Sequence, residues 1–138
     1  VPAGRTCDQV WAFWDVMPTM AELAGLPAPD GIDGISMVPA LTGGEQQKQH
    51  EYLYWDYGHV RDAYMQAVRW RNWKGVRIGA DEPIELYDLS EDPGERNNVA
   101  QEHPEAVARI EAFMREAYTP SDDYPLGASY TRKDEPDY

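Results

Sequence analysis

Hydrophobic and polar positions alternate along this chain with two different periods. Around residues 15–25, apolar residues recur at spacings of three and four, which predicts a helix with Val16, Met20, Leu23 and Ala24 on one face. Asp15 is placed to cap its start, Pro18 falls in its first turn, and Gly25 and Pro27 stop it. Val10, Trp11, Phe13 and Trp14 crowd just upstream, a dense apolar cluster that calls for partners outside so short a segment. A Pro/Gly-rich arm follows, with one short helical turn expected at residues 37–41.

The period then shortens to two. EYLYWDY (51–57), YMQAVRW (64–70), WKGVRIG (73–79) and IELYDL (84–89) read as strands, and only Arg71 and Asn72 separate the middle pair, which predicts a tight hairpin. Connections this short favour an antiparallel meander, because a parallel sheet needs long crossovers. SEDPGERNN is a turn cluster. His103 and Pro104 then open a helix to about residue 118, His103 in a capping role, with Val107, Ile110, Phe113, Met114 and Ala117 as its apolar stripe. The expected fold is α+β: a helix and arm, then an antiparallel sheet of about four strands covered by the C-terminal helix. Residues 121–138 are polar and proline-bearing, and an irregular tail is expected there.

The 138 residues carry a formal charge of −13, which argues against a general nucleic-acid binder. The charge is uneven. Residues 59–78 hold five basic side chains (Arg61, Arg69, Arg71, Lys74 and Arg77) against the single acid Asp62, so an anionic group is one partner for that stretch and plain solvation of strand surfaces is the other. No apolar run is long enough to cross a bilayer, so no membrane partner is expected. Cys7 is the sole cysteine, which rules out an internal disulfide and a thiolate zinc cluster. The chain opens on Val1 rather than methionine, and a piece of a longer protein is the expectation.

Hydrolytic chemistry needs a nucleophile, an activating group and charge stabilisation in one place. Cys7 has no neighbouring histidine, and the acid beside it, Asp8, would raise a thiol pKa rather than lower it. No G-x-S-x-G elbow and no Gly-rich phosphate loop occur. His50, His59 and His103 are not at helical ligand spacing, and Asp30 and Asp33 serve better as turn residues than as calcium ligands. No catalytic residue and no metal ligand is therefore assigned. One constellation remains: DYGHVRDAY sets Asp56, Tyr57, His59 and Arg61 in a loop between two predicted strands, a common binding position. His59 and Arg61 can donate to hydroxyl or sulfate oxygens and Tyr57 can pack on a sugar face, against the alternative of an ordinary loop whose Asp and Arg pair.

The order and spacing of DVMPTMAELAGLPAPDGIDGISMVPALTG, HEYLYWDYGH, QAVRWRNWKGVR and ELYDLSEDPGERNNVAQEHPE resemble the C-terminal region of type I sulfatases, in the alkaline-phosphatase superfamily. The resemblance implies that residues 1–45 are the end of a catalytic domain with its connecting arm, and residues 46–120 a small C-terminal subdomain. It implies an N-terminal catalytic domain as partner for Trp11, Phe13 and Trp14. It implies a sulfated saccharide or aryl sulfate as substrate, with the loop at residues 56–62 (His59 first, Arg61 second, with Tyr57) helping to select it. Family chemistry uses a formylglycine made from C-x-P-x-R or its serine counterpart, together with a divalent cation, usually calcium. Cys7 is followed by Asp8-Gln9-Val10-Trp11 and does not match, so the isolated chain is expected to be inactive and to hold no cofactor itself. Two other readings stand beside this one: the C-terminal part of a phosphodiesterase or phosphonate hydrolase of the same superfamily, and a non-catalytic saccharide-binding or interaction module.

Overall fold

A computed structural model describes residues 1–44, 47–57 and 64–121. The chain divides into two units, residues 1–51 and 52–138.

In the first unit a single 3-10 turn, Phe13–Asp15, runs directly into helix α1, Val16–Leu23. Asp15 was expected to cap this helix and does not. Its backbone is already helical (φ −75°, ψ −15°) and its side chain makes no capping bond to α1. Oδ2 instead accepts from the Ala12 N–H at 2.7 Å, tying the 3-10 turn at its own start. The helix ends as expected at Gly25 (φ 71°): the Gly25 N–H reaches the Glu22 carbonyl and the Leu26 N–H reaches Ala21, the paired bonds of a Schellman close.

The apolar stripe of α1 is not its buried face. Met20 and Leu23 are 57% and 55% exposed and Ala24 is exposed, whereas Asp15, Pro18 and Thr19 are buried. The physical reason lies in residues 35–37, whose backbone N–H groups need acceptors away from water. Asp15 Oδ1 takes the Ile35 N–H at 2.8 Å, and Thr19 Oγ1 takes the Met37 N–H at 2.9 Å while donating to the Asp15 carbonyl at 2.6 Å. Approach on that side is close enough that a Cβ on Gly34 would lie 2.2 Å from the Trp14 carbonyl oxygen. The short turn of the arm is present as α2, Val38–Thr42, one residue later than expected and ended by left-handed Gly43.

In the second unit four strands form one antiparallel sheet in sequence order: β1 Leu53–Asp56, β2 Met65–Trp70, β3 Trp73–Ile78 and β4 Glu85–Asp88. The predicted strands are all there, trimmed at their ends. The hairpin between β2 and β3 turns on Arg71 and Asn72, with Arg71 at φ 55°. Helix α3, Pro104–Ala117, covers one face. Pairing of Tyr54 with Val68, Val68 with Gly75 and Gly75 with Leu86 puts these residues on the covered face, together with Trp70 and Trp73. Ala106, Ile110, Phe113 and Met114 descend onto them, Tyr52 stacks on Phe113 with ring centroids 4.1 Å apart, and Ile84 and Leu86 complete the core. Gly75 makes room for the helix, since a Cβ there would lie 2.5 Å from Ile110 Cγ2.

The turn cluster after β4 builds its own scaffold. Asp88 Oδ1 accepts from the N–H and hydroxyl of Ser90, and Asp92 Oδ2 accepts from the Arg96 and Asn97 N–H groups at 2.6 and 2.8 Å. Asn98 Oδ1 then receives the Leu86 and Ala100 N–H groups. His103 holds the first position before α3, yet its side chain makes no capping bond. The imidazole packs on Trp73 at 4.7 Å instead, and Pro104, which has no N–H to satisfy, starts the helix.

Candidate functional site

The predicted binding loop departs from β1 and returns to β2, and the side chains at its base form a polar network on the sheet face that carries α3. Tyr64 donates its hydroxyl to Asp56 Oδ2 at 2.9 Å, Tyr54 donates to the same oxygen at 3.3 Å, and Gln66 Nε2 donates to the Tyr54 hydroxyl at 2.8 Å. Gln66 and Tyr64 are buried, so these bonds lie partly away from water, where an unmet polar group would cost about 1–3 kcal/mol. Burial, followed by the hydrogen bond to Asp56, pushes the Tyr64 phenol far above its ordinary range, and burial first also raises Tyr54. Both phenols are therefore neutral donors at physiological pH. They hold Asp56 to the sheet, which makes it an anchor of the loop's first residue. Backbone bonds reinforce the base: the Tyr57 N–H meets the Met65 carbonyl at 2.8 Å and the Gly79 N–H meets Tyr64 at 2.7 Å.

Of the three predicted substrate contacts, Tyr57 stands at the end of this base with its side chain 62% exposed. His59 and Arg61 lie outside the described residues. The network partners Tyr54, Tyr64 and Gln66 were not singled out by sequence. The strand register brings them together: it sets Asp56 opposite Gln66 and puts Tyr54 two residues away on the same face.

The predicted docking cluster lies in the first unit. Phe13 is 88% and Trp11 51% exposed, and Trp14 is half-buried. The outward stripe of α1 extends the cluster, because Met17, Met20, Leu23 and Leu26 are each more than half exposed. Six large apolar side chains within sixteen residues of chain exceed the scattered exposure expected on a soluble surface.

Among the described residues no three His, Cys, Asp or Glu side chains stand together as a metal site. Cys7 is exposed, and the residues that follow it, Asp8-Gln9-Val10-Trp11, do not make a formylglycine motif. No described helix is long and apolar enough to cross a membrane.

Comparison with known proteins places these features in a family. A family model for the N-sulphoglucosamine sulphohydrolase C-terminal region matches residues 1–119. Mouse steryl-sulfatase is 33% identical over 148 aligned residues, covering 81% of this chain and 23% of its own length. A solved 2-O GAG sulfatase superposes with a TM-score of 0.67 at 31% identity, over 74% of this chain and 23% of that one. The phosphonate monoester hydrolase of Agrobacterium radiobacter superposes with a TM-score of 0.60 at 27% identity, over 83% of this chain and 25% of that one. The chain spans about a quarter of the length of the curated relatives it matches. With its four-stranded antiparallel sheet, covering helix and ELYDLSEDPGERNN turn, the chain belongs to the sulfatases, as a member of the N-sulphoglucosamine sulphohydrolase C-terminal family.

Proposed function

We propose that this chain is the C-terminal part of a sulfatase that hydrolyses sulfate esters of a saccharide, and that it contributes docking and substrate selection rather than bond cleavage. The observation that carries this is the family match over residues 1–119, set beside a span of only about a quarter of the relatives' length. A formylglycine and a calcium ion, held in the larger catalytic portion, would supply nucleophile and charge stabilisation. The outward apolar side chains from Trp11 to Leu26 would pack against that portion, which gives them the water-excluded partner they lack here. A saccharide is favoured over an aryl or steryl ester by the solved 2-O GAG sulfatase among the neighbours and by the donors His59 and Arg61 in the loop.

In that role the Tyr54–Asp56–Tyr64 network would fix both ends of the loop, so that His59 and Arg61 meet a sugar hydroxyl and an anionic substituent at low entropic cost. The test is His59→Ala in the full-length enzyme, assayed on a sulfated disaccharide and on a small aryl sulfate. A loss in kcat/KM confined to the disaccharide is expected. Equal kinetics on both substrates rejects the role in selection.

The superposition on a phosphonate monoester hydrolase favours a second reading, in which the parent cleaves phosphonate or phosphate esters. Parallel assays of the full-length enzyme on a sulfate ester and a phosphonate monoester separate the two.

A further inference from the structure

On the sheet face away from α3, one arginine has a buried nitrogen with no partner among the described residues. Leu53, Arg69, Lys74 and Tyr87 form a row across the four strands of this face. Lys74 is matched, with Nζ 2.6 and 2.7 Å from the two carboxylate oxygens of Glu95. Glu85, also on this face, accepts the Tyr87 hydroxyl at 2.7 Å. Arg69 is left over. Its Nε is buried without a hydrogen-bond partner, and its guanidinium makes no ion pair among the described residues. Arg77 has a similarly buried Nε, but it sits on the helix side and its Nη2 reaches Glu111 at 3.1 Å.

A buried guanidinium N–H without an acceptor is unfavourable, because the hydration it gives up is not replaced. Around it the face is partly apolar: Trp55, Met65 and Val76 are half-buried and Ile78 is 45% exposed. Apolar surface around a half-buried arginine whose Nε lacks a partner is the pattern of an interface anchor, since arginine is enriched there and its planar fork suits a carboxylate.

We infer that Arg69 is a docking anchor that receives an Asp or Glu carboxylate from the catalytic portion of the parent sulfatase, across the sheet face opposite α3. This rests on the reading that such a portion exists and packs on this chain. The test compares thermal unfolding of Arg69→Met in the 138-residue chain and in the full-length polypeptide, with Phe13→Asp as a control in both. Methionine keeps the apolar stem and removes the charge. In the short chain the midpoint is expected to hold or rise. In the full-length protein it is expected to fall by a few degrees, with Arg69→Lys retaining part of the loss. A change of the same sign and size in both overturns the anchor. If Phe13→Asp lowers only the full-length midpoint while Arg69→Met acts alike in both, docking stands and the anchor alone fails. If Phe13→Asp also leaves the full-length midpoint unchanged, the docking reading itself is rejected.

Discussion

The carboxylate of Asp15 and the imidazole of His50, 35 positions apart in the chain, meet at 2.8 Å between Oδ1 and Nε2. Asp15 is fully buried and the His50 side chain is 14% exposed. The same carboxylate also holds the Ala12 and Ile35 N–H groups, so one side chain gathers the 3-10 turn, the return of the arm and the segment that precedes the sheet.

Removal of that hub should therefore cost more than removal of any single donor. Asp15→Ala strands two backbone N–H groups and an imidazole, and the expected loss is about 3–5 kcal/mol. His50→Ala leaves two of the three donors in place and should cost about 1–2 kcal/mol. Urea unfolding of both single variants and the double variant measures this, with the double close to Asp15→Ala alone. Additive losses would mean that His50 acts elsewhere.

The hub also marks where sequence reading stops. Periodicity reported which residues share a face, and in α3 that was enough, because Ile110, Phe113 and Met114 have a sheet to cover them. In α1 the same arithmetic grouped Met20 and Leu23 on one face, but period carries no information about what lies opposite, and that face is exposed. The inward face was won by Asp15 and Thr19, through backbone donors some twenty residues away that no local pattern announces. His103 shows the same limit at smaller scale: its position before α3 was legible, and the pull of Trp73 on its ring was not. The base of the loop was half legible, because the strands at residues 51–57 and 64–70 could be read but their register could not.

Gly75 tests how tightly α3 is seated. An added Cβ would press on Ile110, so Gly75→Ala should destabilise by about 1–3 kcal/mol. Ile110→Ala alone empties a fully buried site and should cost about 2–5 kcal/mol. Combined, the new methyl enters the space Ile110 gave up, and the double variant should lose less than the sum. Strict additivity in denaturant unfolding would show that helix and strand are not in contact at this point.

Stability should be flat in pH over a wide middle range as far as these groups decide it. Hydrogen bonds from Ser90 hold Asp88 below its ordinary value, and N–H groups of the turn, led by Asn97, do the same for Asp92. A depressed folded value gives stability that is present above the unfolded value and lost as pH falls through the folded one. The effect is therefore confined to acid, below the ordinary carboxylate value of 3.8. Tyr87 has the opposite sign: its bond to Glu85 pushes it up to about 12, so its contribution holds below the ordinary phenol value of 10.0 and fades above it. Asp92→Asn should flatten the acid limb of the urea midpoint against pH and leave the alkaline limb in place. An unchanged acid limb would exclude Asp92 as its source.

The outward stripe from Phe13 to Leu23 separates folding from docking. Met20 is 57% exposed and Phe13 is 88% exposed, so neither contributes much to the stability of the chain alone. Met20→Glu and Phe13→Asp should each change the unfolding free energy of the 138-residue protein by no more than about 0.5 kcal/mol. Both should also reduce its self-association, because they break a contiguous apolar surface. In the full-length enzyme the same changes place a charge against a surface proposed to be dry, where an unpaired charge costs several kcal/mol, and soluble yield and sulfatase activity should fall together. Sedimentation of the short chain and activity of the long one make the comparison. If the full-length variants keep wild-type activity and yield, the apolar side chains face solvent there too, and the catalytic portion must pack elsewhere.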